Sequence, residues 1–259
     1  MKAIAMVPTY NEALNIEPLL RQILSQGPDV GAVVVDDNSP DGTATIVARL
    51  AKEDPRVRLI LRKEERGRGT AGIVGFRYAV QQGISFVIEM DADFSHQPFY
   101  ISSFLKQMDD CDLLIASRLI PGGGERGRPF LRRWITRLAN FYIRLVLGLP
   151  VRDCTSGYRV FRREVLAAID LDHIMSAGPS VVEEVLYKAY KRGFRIKEVP
   201  YILEERKAGE STFNRKIMLD ALRKMPAIRW RYRNYPAISA NHENPPRPPF
   251  AHKGGDLKL

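Results

Sequence analysis

Cysteine is scarce in this chain of 259 residues, which contains two, Cys111 and Cys154. They are far apart in the sequence and belong to no CxxC pattern, so we predict neither a disulfide framework nor a structural zinc site. Neither has an obvious histidine partner, which argues against thiol catalysis. This use of cysteine is typical of a reducing, cytosolic compartment.

Long apolar runs are also missing from the sequence. Crossing a bilayer takes roughly 20 consecutive apolar residues, and no uninterrupted run approaches that length. The chain begins MKAIAMVPTYNEA, where the apolar stretch is too short for a secretory signal and leads directly into polar residues. We therefore expect neither a signal peptide nor a membrane-spanning helix.

Basic residues outnumber acidic residues by 40 to 30, which gives a formal net charge of +10. Such an excess favours a polyanionic partner, which could be nucleic acid, an anionic membrane surface or a phosphorylated substrate. The basic residues are dispersed along the chain, whereas a nucleic-acid-binding module concentrates them on one face. Nucleic acid is therefore the weakest of these alternatives, and we predict no nucleic acid partner.

Five short apolar runs rich in β-branched residues predict strands at 3–7, 31–35, 57–61, 84–90 and 112–116. Helix-like segments separate them, and this alternation is typical of a parallel sheet covered on both faces. After the first strand we predict a helix over about 16–25, capped by Asn15. A turn at 38–42 enters the next helix, and the glycine run 122–124 predicts a flexible loop. The fold class is therefore α/β.

Two segments, within 128–149 and at 215–235, combine arginines with aromatic residues. The first contains FLRRWITRLANFYIRLVLGL. This pattern is compatible with a helix lying on a membrane surface and equally with a helix that packs on the core and turns a basic face to solvent. From 236 to 259 the chain is rich in proline and polar residues and lacks periodicity, which predicts a disordered tail.

The strongest local signal for chemistry is the pair Asp91 and Asp93, which follows the apolar run ISFVI. Side chains two residues apart in an extended segment point the same way, so both carboxylates should project from the end of a strand, where open α/β sheets bind ligands. Two such carboxylates suit Mg²⁺ or Mn²⁺ held jointly with a diphosphate. The alternative is a pair of acids that caps the following helix.

A second acidic pair, Asp36 and Asp37, ends the run GAVVV in the same way. We expect both pairs to line one crevice. Carboxylates accept hydrogen bonds from a base or ribose, which makes Asp36 and Asp37 candidates for nucleoside recognition. The segment PTYNE at 8–12 would complete the wall, with Tyr10 available to stack or to form a hydrogen bond.

The segment GRGTAG at 67–72 matches GxGxxG, with Asp91 at about the distance of the ribose-binding acid in a dinucleotide fold. A dinucleotide fingerprint belongs in the tight turn after the first strand, whereas this motif follows the third strand through the charged loop RKEERG. A glycine-rich, basic loop near phosphates is therefore favoured over an oxidoreductase. His96 is compatible either with metal ligation or with local hydrogen bonds.

Taken in order, PTYNE, VVVDDNSPDGT, ERGRGTAG, MDADFSHQP, the SR dipeptide at 117–118 and DCTSGYRVFRREVL at 153–166 resemble the GT-A-fold family 2 glycosyltransferases. Within these, the chain is similar to the dolichyl- and polyprenyl-phosphate mannose synthases without transmembrane helices. The resemblance covers about residues 3–212. It implies a GT-A catalytic domain over 1–214, with a Rossmann-like, mostly parallel sheet flanked by helices. A basic interfacial helix at 215–235 and the tail at 236–259 would follow.

The resemblance also implies roles for individual residues. Those expected at the nucleoside are Pro8, Tyr10, Glu12, Val35 and Asp37, with Asp36 beside them. Asp91 and Asp93 are expected to hold the metal and the diphosphate. Ser95 stands where relatives often have a glutamine metal ligand, and its shorter side chain would reach the metal through water.

Three arginines and one threonine match positions that hold the donor diphosphate or the acceptor phosphate in such enzymes. They are Arg118, Arg132, Thr136 and Arg206, of which Arg118, Arg132 and Thr136 are expected at the acceptor phosphate. Thr212 stands where the family pattern usually has lysine. Lys207, Arg215 and Lys216 are candidates to replace that charge.

A lipid phosphate acceptor also agrees with the chemistry of these residues. A phosphate monoester, whose second pKa is about 6, is largely dianionic at pH 7 and needs no general base. It needs positioning and charge compensation, which arginines supply better than lysines. We therefore expect direct displacement at the anomeric carbon with inversion. In many glycosyltransferases of this fold an acid on a helix such as the one with Glu183 and Glu184 is the base, and a phosphate acceptor makes that role unnecessary.

The resemblance favours GDP-mannose as the donor and a polyprenyl or dolichyl phosphate as the acceptor. The alternatives are UDP-glucose as the donor, or a hydroxyl acceptor in place of the phosphate. Such a protein is expected in the cytoplasm, peripherally associated with the cytoplasmic face of a membrane. Interfacial helices or a small membrane-anchored subunit would provide that association.

Overall fold

The computed structural model describes residues 1–64, 66–204 and 215–237, and of 215–221 the backbone alone. Within these residues the chain forms nine strands and eight α-helices. The strands are β1 (Ala3–Thr9), β2 (Val30–Asp36), β3 (Val57–Leu61), β4 (Phe86–Glu89), β5 (Leu113–Ser117), β6 (Gly124–Arg126), β7 (Arg159–Arg162), β8 (Ile196–Pro200) and β9 (Ile202–Glu204). The helices are α1 (Ala13–Leu24), α2 (Thr43–Glu53), α3 (Arg68–Gln81), α4 (Ile101–Lys106), α5 (Phe130–Leu147), α6 (Arg163–Ala168), α7 (Val181–Lys191) and α8 (Arg215–Arg231).

Seven strands form one sheet in the order β3-β2-β1-β4-β7-β5-β8. Every pairing in it is parallel except those of β7, which runs antiparallel to both β4 and β5. Strands β6 and β9 form a separate parallel pair. The predicted α/β class, the mostly parallel sheet and all five predicted strands are confirmed.

Each face of the sheet carries its own apolar core because successive strand residues point to opposite faces. In β1, Ala3, Ala5 and Val7 face a core completed by α1, α2 and α4. Ile4 and Met6 face the other core, which α3, α5, α6, α7 and α8 complete. Burial on both faces explains why the central strands are continuously apolar instead of alternating.

Two local predictions were wrong. Helix α1 begins at Ala13, not at 16, and its N-cap is Glu12. Asn15 lies inside the helix, where its side chain donates to Glu12 Oε2. The backbone N–H of Ala13 is instead satisfied by Asp41 Oδ2 at 2.9 Å, so a contact from the next loop replaces the local cap. The glycine run predicted as a loop ends in β6, because Gly124 pairs with Ile202 of β9.

Helix α5 has two different apolar sides. Ile143 and Leu147 are buried in the core. A second row is largely exposed: Phe130, Leu131, Trp134, Leu138, Phe141 and Leu145. Helix α8 packs beside α5, with Tyr142 donating to the carbonyl of Leu222, and it buries Met225 and Ile228. No helix in the described part of the chain has both the length and the apolar character needed to cross a bilayer.

Cys111 and Cys154 are buried and unbonded to each other. Burial raises the pKa of Cys111 to about 11 and that of Cys154 to about 12. Of the tail predicted at 236–259, only the first two residues are described.

Candidate active site

The two acidic pairs follow β2 and β4, the parallel strands that flank β1. Strand β1 pairs with β2 on one side and with β4 on the other, so their carboxyl ends meet at one edge of the sheet. Asp36 ends β2 and Asp37 follows it, while Asp91 and Asp93 follow β4. The two acidic pairs therefore lie at the same edge of the sheet, as expected of residues that line one crevice.

The glycine-rich segment 67–72 joins the two pairs. The sequence predicts a loop here, but from Arg68 onward the segment forms the first turns of α3. The backbone N–H of Gly67 donates to Asp37 Oδ2 at 2.8 Å. The next residue, Arg68, places Nη2 2.6 Å from Asp91 Oδ1. A side chain at Gly69 would lie 2.6 Å from the carbonyl oxygens of Ala177 and Gly178, so the segment approaches its neighbour closely only because it lacks a Cβ there. The glycines thus bring a basic side chain to the acidic crevice.

Asp91 and Asp93 are not oriented by strand alternation, because β4 ends at Glu89. They lie in the following loop, which contains Phe94 at φ 63°. The Asp91 side chain is about one third exposed. Asp93 is nearly buried, and its Oδ1 accepts hydrogen bonds from the backbone N–H and the hydroxyl of Ser95. Asp93 therefore fixes the turn, while Asp91 opens toward the crevice.

His96 positions Asp91 through the backbone. Its Nδ1 accepts the N–H of Asp91 at 2.9 Å, and its ring stacks on Tyr158. Burial lowers the pKa of His96 below its ordinary value, against the attraction of Asp91 and Asp93. A neutral ring that accepts at Nδ1 carries its proton on Nε2. Of the two readings of His96, the structure shows the local hydrogen bond.

The oxygens of this loop fit a divalent cation that is shared with a ligand. Asp91, Asp93 and Ser95 are hard donors of the kind that Mg²⁺ and Mn²⁺ prefer. No group of three or more His, Cys, Asp or Glu side chains in the described part of the chain is arranged to hold a metal ion. A cation here would therefore take its remaining ligands from water or from a bound diphosphate, as Mg²⁺ commonly does.

The two acids after β2 differ in what they contact. Asp36 is fully buried, and its carboxylate accepts hydrogen bonds from the hydroxyls of Thr9 and Ser39. Asp37 forms an ion pair with Arg62, whose Nη2 lies 2.5 Å from Oδ1. Asp36 thus holds the turn, whereas Asp37 ties the glycine-rich segment to the sheet.

The other residues expected at the nucleoside surround these acids. Tyr10 is 44% exposed, and the guanidinium of Arg66 lies 5.2 Å from its ring centre. Glu12 accepts a hydrogen bond from Asn15 at the start of α1. Pro8 is half-buried and pairs in register with Val35. The side chain of Val35 belongs to the core on the α3 side, so only its backbone faces the edge.

Arg118 follows β5 and is held by Asp153. Its Nε and Nη2 donate to the two carboxylate oxygens at 2.8 and 2.6 Å, and Nη2 also donates to Thr155. Burial would raise the pKa of Asp153, but Arg118 holds it below its ordinary value. The pair is almost completely buried. In this arrangement the guanidinium is committed to Asp153.

The remaining basic candidates lie on α5 or beyond the described residues. Arg132 is exposed in the first turns of α5, and Thr136 is half-buried one turn later. Arg206 lies outside the described residues, as do Lys207 and Thr212. Arg215 and Lys216 begin α8, where only the backbone is described.

A buried charge cluster lies beneath the crevice. Burial raises the pKa of Glu89, and it raises that of Glu183 to about 7 despite the nearby Arg159 and Arg68. Oε2 of Glu183 has no hydrogen-bond partner in the described part of the chain. Glu184 accepts hydrogen bonds from the backbone N–H groups of Met175 and Ser176 and from the hydroxyl of Tyr232. The two acids are internal, not a solvated pair.

Several residues of the site were not recognised from the sequence. Arg68 and Arg62 lie within segments noted only as glycine-rich or charged, and Asp153 lies within the segment 153–166. The sequence shows that these residues are charged, but it does not show which residues they contact. Their partners are 23, 25 and 35 positions away in the chain, a separation that local patterns do not reveal.

Comparison with known proteins agrees with this architecture. The model of glycosyl transferase family 2 matches residues 4–170. An undecaprenyl-phosphate mannosyltransferase of Micrococcus luteus is 38% identical over 230 residues, which cover 89% of this chain and 94% of that protein. A polyprenol monophosphomannose synthase of Mycolicibacterium smegmatis is 38% identical over 226 residues, which cover 86% of this chain and 85% of that protein.

A solved structure shows the same fold at lower identity. The glucosyl-3-phosphoglycerate synthase of Mycobacterium tuberculosis, in complex with Mn²⁺, UDP and glucosyl-3-phosphoglycerate, superposes with a TM-score of 0.62. The two are 20% identical, and the match covers 87% of this chain and 77% of that one. The predicted GT-A fold is confirmed, and the chain belongs to glycosyl transferase family 2.

Proposed function

We propose that this protein is an inverting hexosyltransferase that moves mannose from GDP-mannose to a polyprenyl or dolichyl monophosphate. The observation that carries the proposal is the 38% identity, across 94% of its length, to a relative named as an undecaprenyl-phosphate mannosyltransferase. The crevice agrees with it, because an acidic edge for a donor diphosphate lies next to an arginine-rich helix with an exposed apolar side.

The donor binds at the edge formed by β1, β2 and β4. Asp91 and Asp93, with Ser95, hold Mg²⁺ or Mn²⁺ together with the diphosphate. When bound, the cation neutralises charge on the departing nucleoside diphosphate. Tyr10 and Arg66 stand on the exposed side, where an aromatic ring can stack on the base. Pro8, Glu12, Asp37 and the backbone of Val35 complete the nucleoside site, and the buried Asp36 holds the turn beside them.

The described acids of α7 favour a phosphate over a hydroxyl acceptor. A hydroxyl needs a general base with a free carboxylate. Both oxygens of Glu184 are engaged by neighbouring donors, and both Glu183 and Glu184 are buried, so a hydroxyl acceptor has little access to either carboxylate. A phosphate monoester is already an anion and needs neither. We assign the positioning of that phosphate to Arg132 and Thr136, to the Arg118–Asp153 pair and to Arg206.

The exposed apolar row of α5 brings the acceptor to the site. Phe130, Leu138 and Leu145 are 69%, 69% and 68% exposed. An amphipathic helix of this kind lies in the interface of a bilayer with its apolar face buried about 5–10 Å. The protein therefore associates peripherally with the cytoplasmic face of a membrane, by itself or with a small membrane-anchored subunit. Residues 1–214 act as the catalytic domain, 215–235 as an interfacial helix and 236–259 as a tail.

The test is transfer of labelled sugar into an organic extract. Purified protein is incubated with Mg²⁺ or Mn²⁺, with GDP-mannose or UDP-glucose, and with or without undecaprenyl phosphate. We expect label in the organic phase only with GDP-mannose and the lipid phosphate. Label transferred from UDP-glucose would show that the donor is UDP-glucose instead of GDP-mannose. Transfer to a hydroxyl compound, with none to the lipid phosphate, would contradict the proposed acceptor.

A further inference from the structure

A cavity of about 560 Å³ lies between α5 and the segments that follow β5 and precede β7. Asn140 and Phe141 of α5 line one wall. Four arginines line it as well, Arg118, Arg137, Arg144 and Arg152, and no acidic side chain is among its described lining residues. A cavity with this lining favours the binding of an anion.

Three of these arginines have no ionic partner in the described part of the chain. Arg118 is neutralised by Asp153, but Arg137, Arg144 and Arg152 form no ion pair with a described acid. Nε of Arg144 is buried and has no hydrogen-bond partner among the described residues. Several positive charges around one cavity repel each other until an anion enters it.

The acids that contact the lining residues are engaged elsewhere. Glu125 lies 3.5 Å from Nη1 of Arg118 and 2.9 Å from Nη1 of Arg128. Asp153 is bound to Arg118. Glu198 accepts the backbone N–H groups of Arg152 and Asp153 at 2.8 and 2.9 Å. None of these carboxylates therefore supplies the missing partner for the guanidinium groups of Arg137 and Arg144.

The cavity opens beside the exposed apolar row of α5. Arg137 and Arg144 are seven positions apart, which places them on the same side of a helix with 3.6 residues per turn. Phe141, which lines the cavity, is itself 62% exposed and belongs to the apolar row. If this row lies in a bilayer, arginines at its edge sit at the level of the lipid phosphates.

The cavity shares Arg118 with the residues proposed for the acceptor phosphate, but Arg132 of that set lies on another side of α5. Five residues separate Arg132 from Arg137, which corresponds to a rotation of roughly 140° about the helix. Arg132 and the cavity therefore flank the apolar row on opposite sides.

We propose that this cavity binds the phosphate headgroup of an anionic phospholipid of the membrane, as a second lipid site that adjoins the acceptor site at Arg118. The proposal rests on the proposed location of α5 at a membrane. Arginine suits a phosphate diester because its guanidinium donates two parallel hydrogen bonds to the phosphate oxygens. Binding there fixes the rotation of α5 about its axis, and with it the side that Arg132 and Thr136 present to the acceptor.

The test uses the full chain and two matched variants. One is Arg137→Gln with Arg144→Gln, and the other is Lys52→Gln with Arg58→Gln, which removes the same charge from exposed positions away from α5. Each protein is sedimented with vesicles of phosphatidylcholine, of phosphatidylcholine with phosphatidylglycerol, and of phosphatidylcholine with undecaprenyl phosphate. Thermal melting verifies that both variants fold.

We expect the Arg137/Arg144 variant to lose affinity for phosphatidylglycerol vesicles by about 30-fold, since it removes two arginines and each contributes about 1 kcal/mol near an anionic surface. The Lys52/Arg58 variant should stay within about twofold of the unaltered protein, because its charges lie away from the lipid surface. Equal losses in the two variants would overturn the proposal in favour of unspecific attraction. A loss confined to undecaprenyl phosphate vesicles would overturn it too, because the cavity would then belong to the acceptor.

Two further measurements separate this proposal from the function. Fluorescence of Trp134, in a Trp230→Phe background, reports whether α5 enters lipid; no response to any vesicle overturns the headgroup site. Mannosyl transfer in detergent, which contains no phospholipid, is expected to be unchanged in the Arg137/Arg144 variant. Absence of transfer in the unaltered protein contradicts the proposed function while leaving the vesicle result intact.

Discussion

Nη2 of Arg68 lies 2.6 Å from Oδ1 of Asp91, the carboxylate that we assign to a divalent cation. The same guanidinium is 3.6 Å from Glu89. A permanent positive charge thus occupies the space next to the cation site. A cation that binds Asp91 must share the carboxylate with Arg68 or displace it.

Replacing Arg68 should therefore tighten cation binding. We expect Arg68→Met to lower the dissociation constant for Mn²⁺ by about fivefold to tenfold, which corresponds to roughly 1 to 1.4 kcal/mol of relieved repulsion. Direct binding is measured by electron paramagnetic resonance of free Mn²⁺. Arg66→Met is the matched control, because Arg66 contacts Tyr10 instead of Asp91. The expectation would be contradicted if the Arg66 variant bound Mn²⁺ more tightly while the Arg68 variant bound it with unchanged affinity.

The carboxylates themselves should be required for turnover. Changing a group that merely supports a metal ligand typically costs 10–100-fold, so Asp91→Asn and Asp93→Asn should each lower mannosyl transfer by about 100-fold or more. The assay is label in the organic extract at saturating donor. Because Asp93 also holds Ser95, its variant is compared in melting temperature with Ser95→Ala. Turnover that survives both substitutions would remove the metal site from the mechanism.

The buried carboxyl of Glu183 should make stability depend on pH. Its pKa rises from 4.5 unfolded to about 7 folded because of burial. Between these two values the folded chain binds more protons than the unfolded chain. The contribution of this group to the free energy of unfolding is therefore greatest below about pH 4.5. It falls by about 3 kcal/mol as the pH rises from there through 7.

Glu183→Gln removes this titration. We expect the variant to melt at a higher temperature than the unaltered protein at pH 8, with a difference that shrinks toward pH 5. Urea unfolding at several pH values measures the effect. Glu164→Gln, at an exposed ion pair, is the control and should shift neither curve. A constant difference across pH would show that Glu183 is ionised throughout.

The Arg118–Asp153 pair should be more costly to break than to remove. Asp153→Ala leaves the buried guanidinium of Arg118 with Glu125, 3.5 Å from Nη1, as its remaining carboxylate, and should cost about 3 kcal/mol of folding free energy. The double variant Arg118→Met with Asp153→Leu removes both charges and should be less destabilised than Asp153→Ala. Denaturant unfolding gives the three values. A double variant as unstable as Asp153→Ala would mean that the packing of these side chains, and not their charge, determines the loss of folding free energy.

The apolar row of α5 should serve the lipid and not the fold. We expect Leu138→Asp and Leu145→Asp to raise the KM for undecaprenyl phosphate in vesicles by about tenfold or more, because each removes a side chain that burial in lipid would stabilise by about 1.5–3 kcal/mol. Melting temperatures should change little, since both side chains are exposed. Leu14→Asp, exposed on α1, is the control and should leave the KM unchanged. A large loss of stability would mean that these residues pack against protein.

Continuous apolar runs predicted the strands, because a strand buried on both faces of a parallel sheet needs consecutive apolar residues. The start of α1 could not be found this way, since Asp41 reaches it from 28 positions along the chain. The acidic residues of the crevice were visible as pairs at strand ends. The ion pairs of Asp37 with Arg62 and of Arg118 with Asp153 depend on which strands are neighbours, which no local pattern specifies.

The two thiols are enclosed in the cores, and their raised pKa values keep them protonated at neutral pH. A thiolate is the form that reacts with maleimides and oxidants. Spectroscopic probes can therefore be attached at a cysteine newly introduced on the surface of α5 without first replacing the native ones. Preparations of the protein should also tolerate storage in air without added reductant.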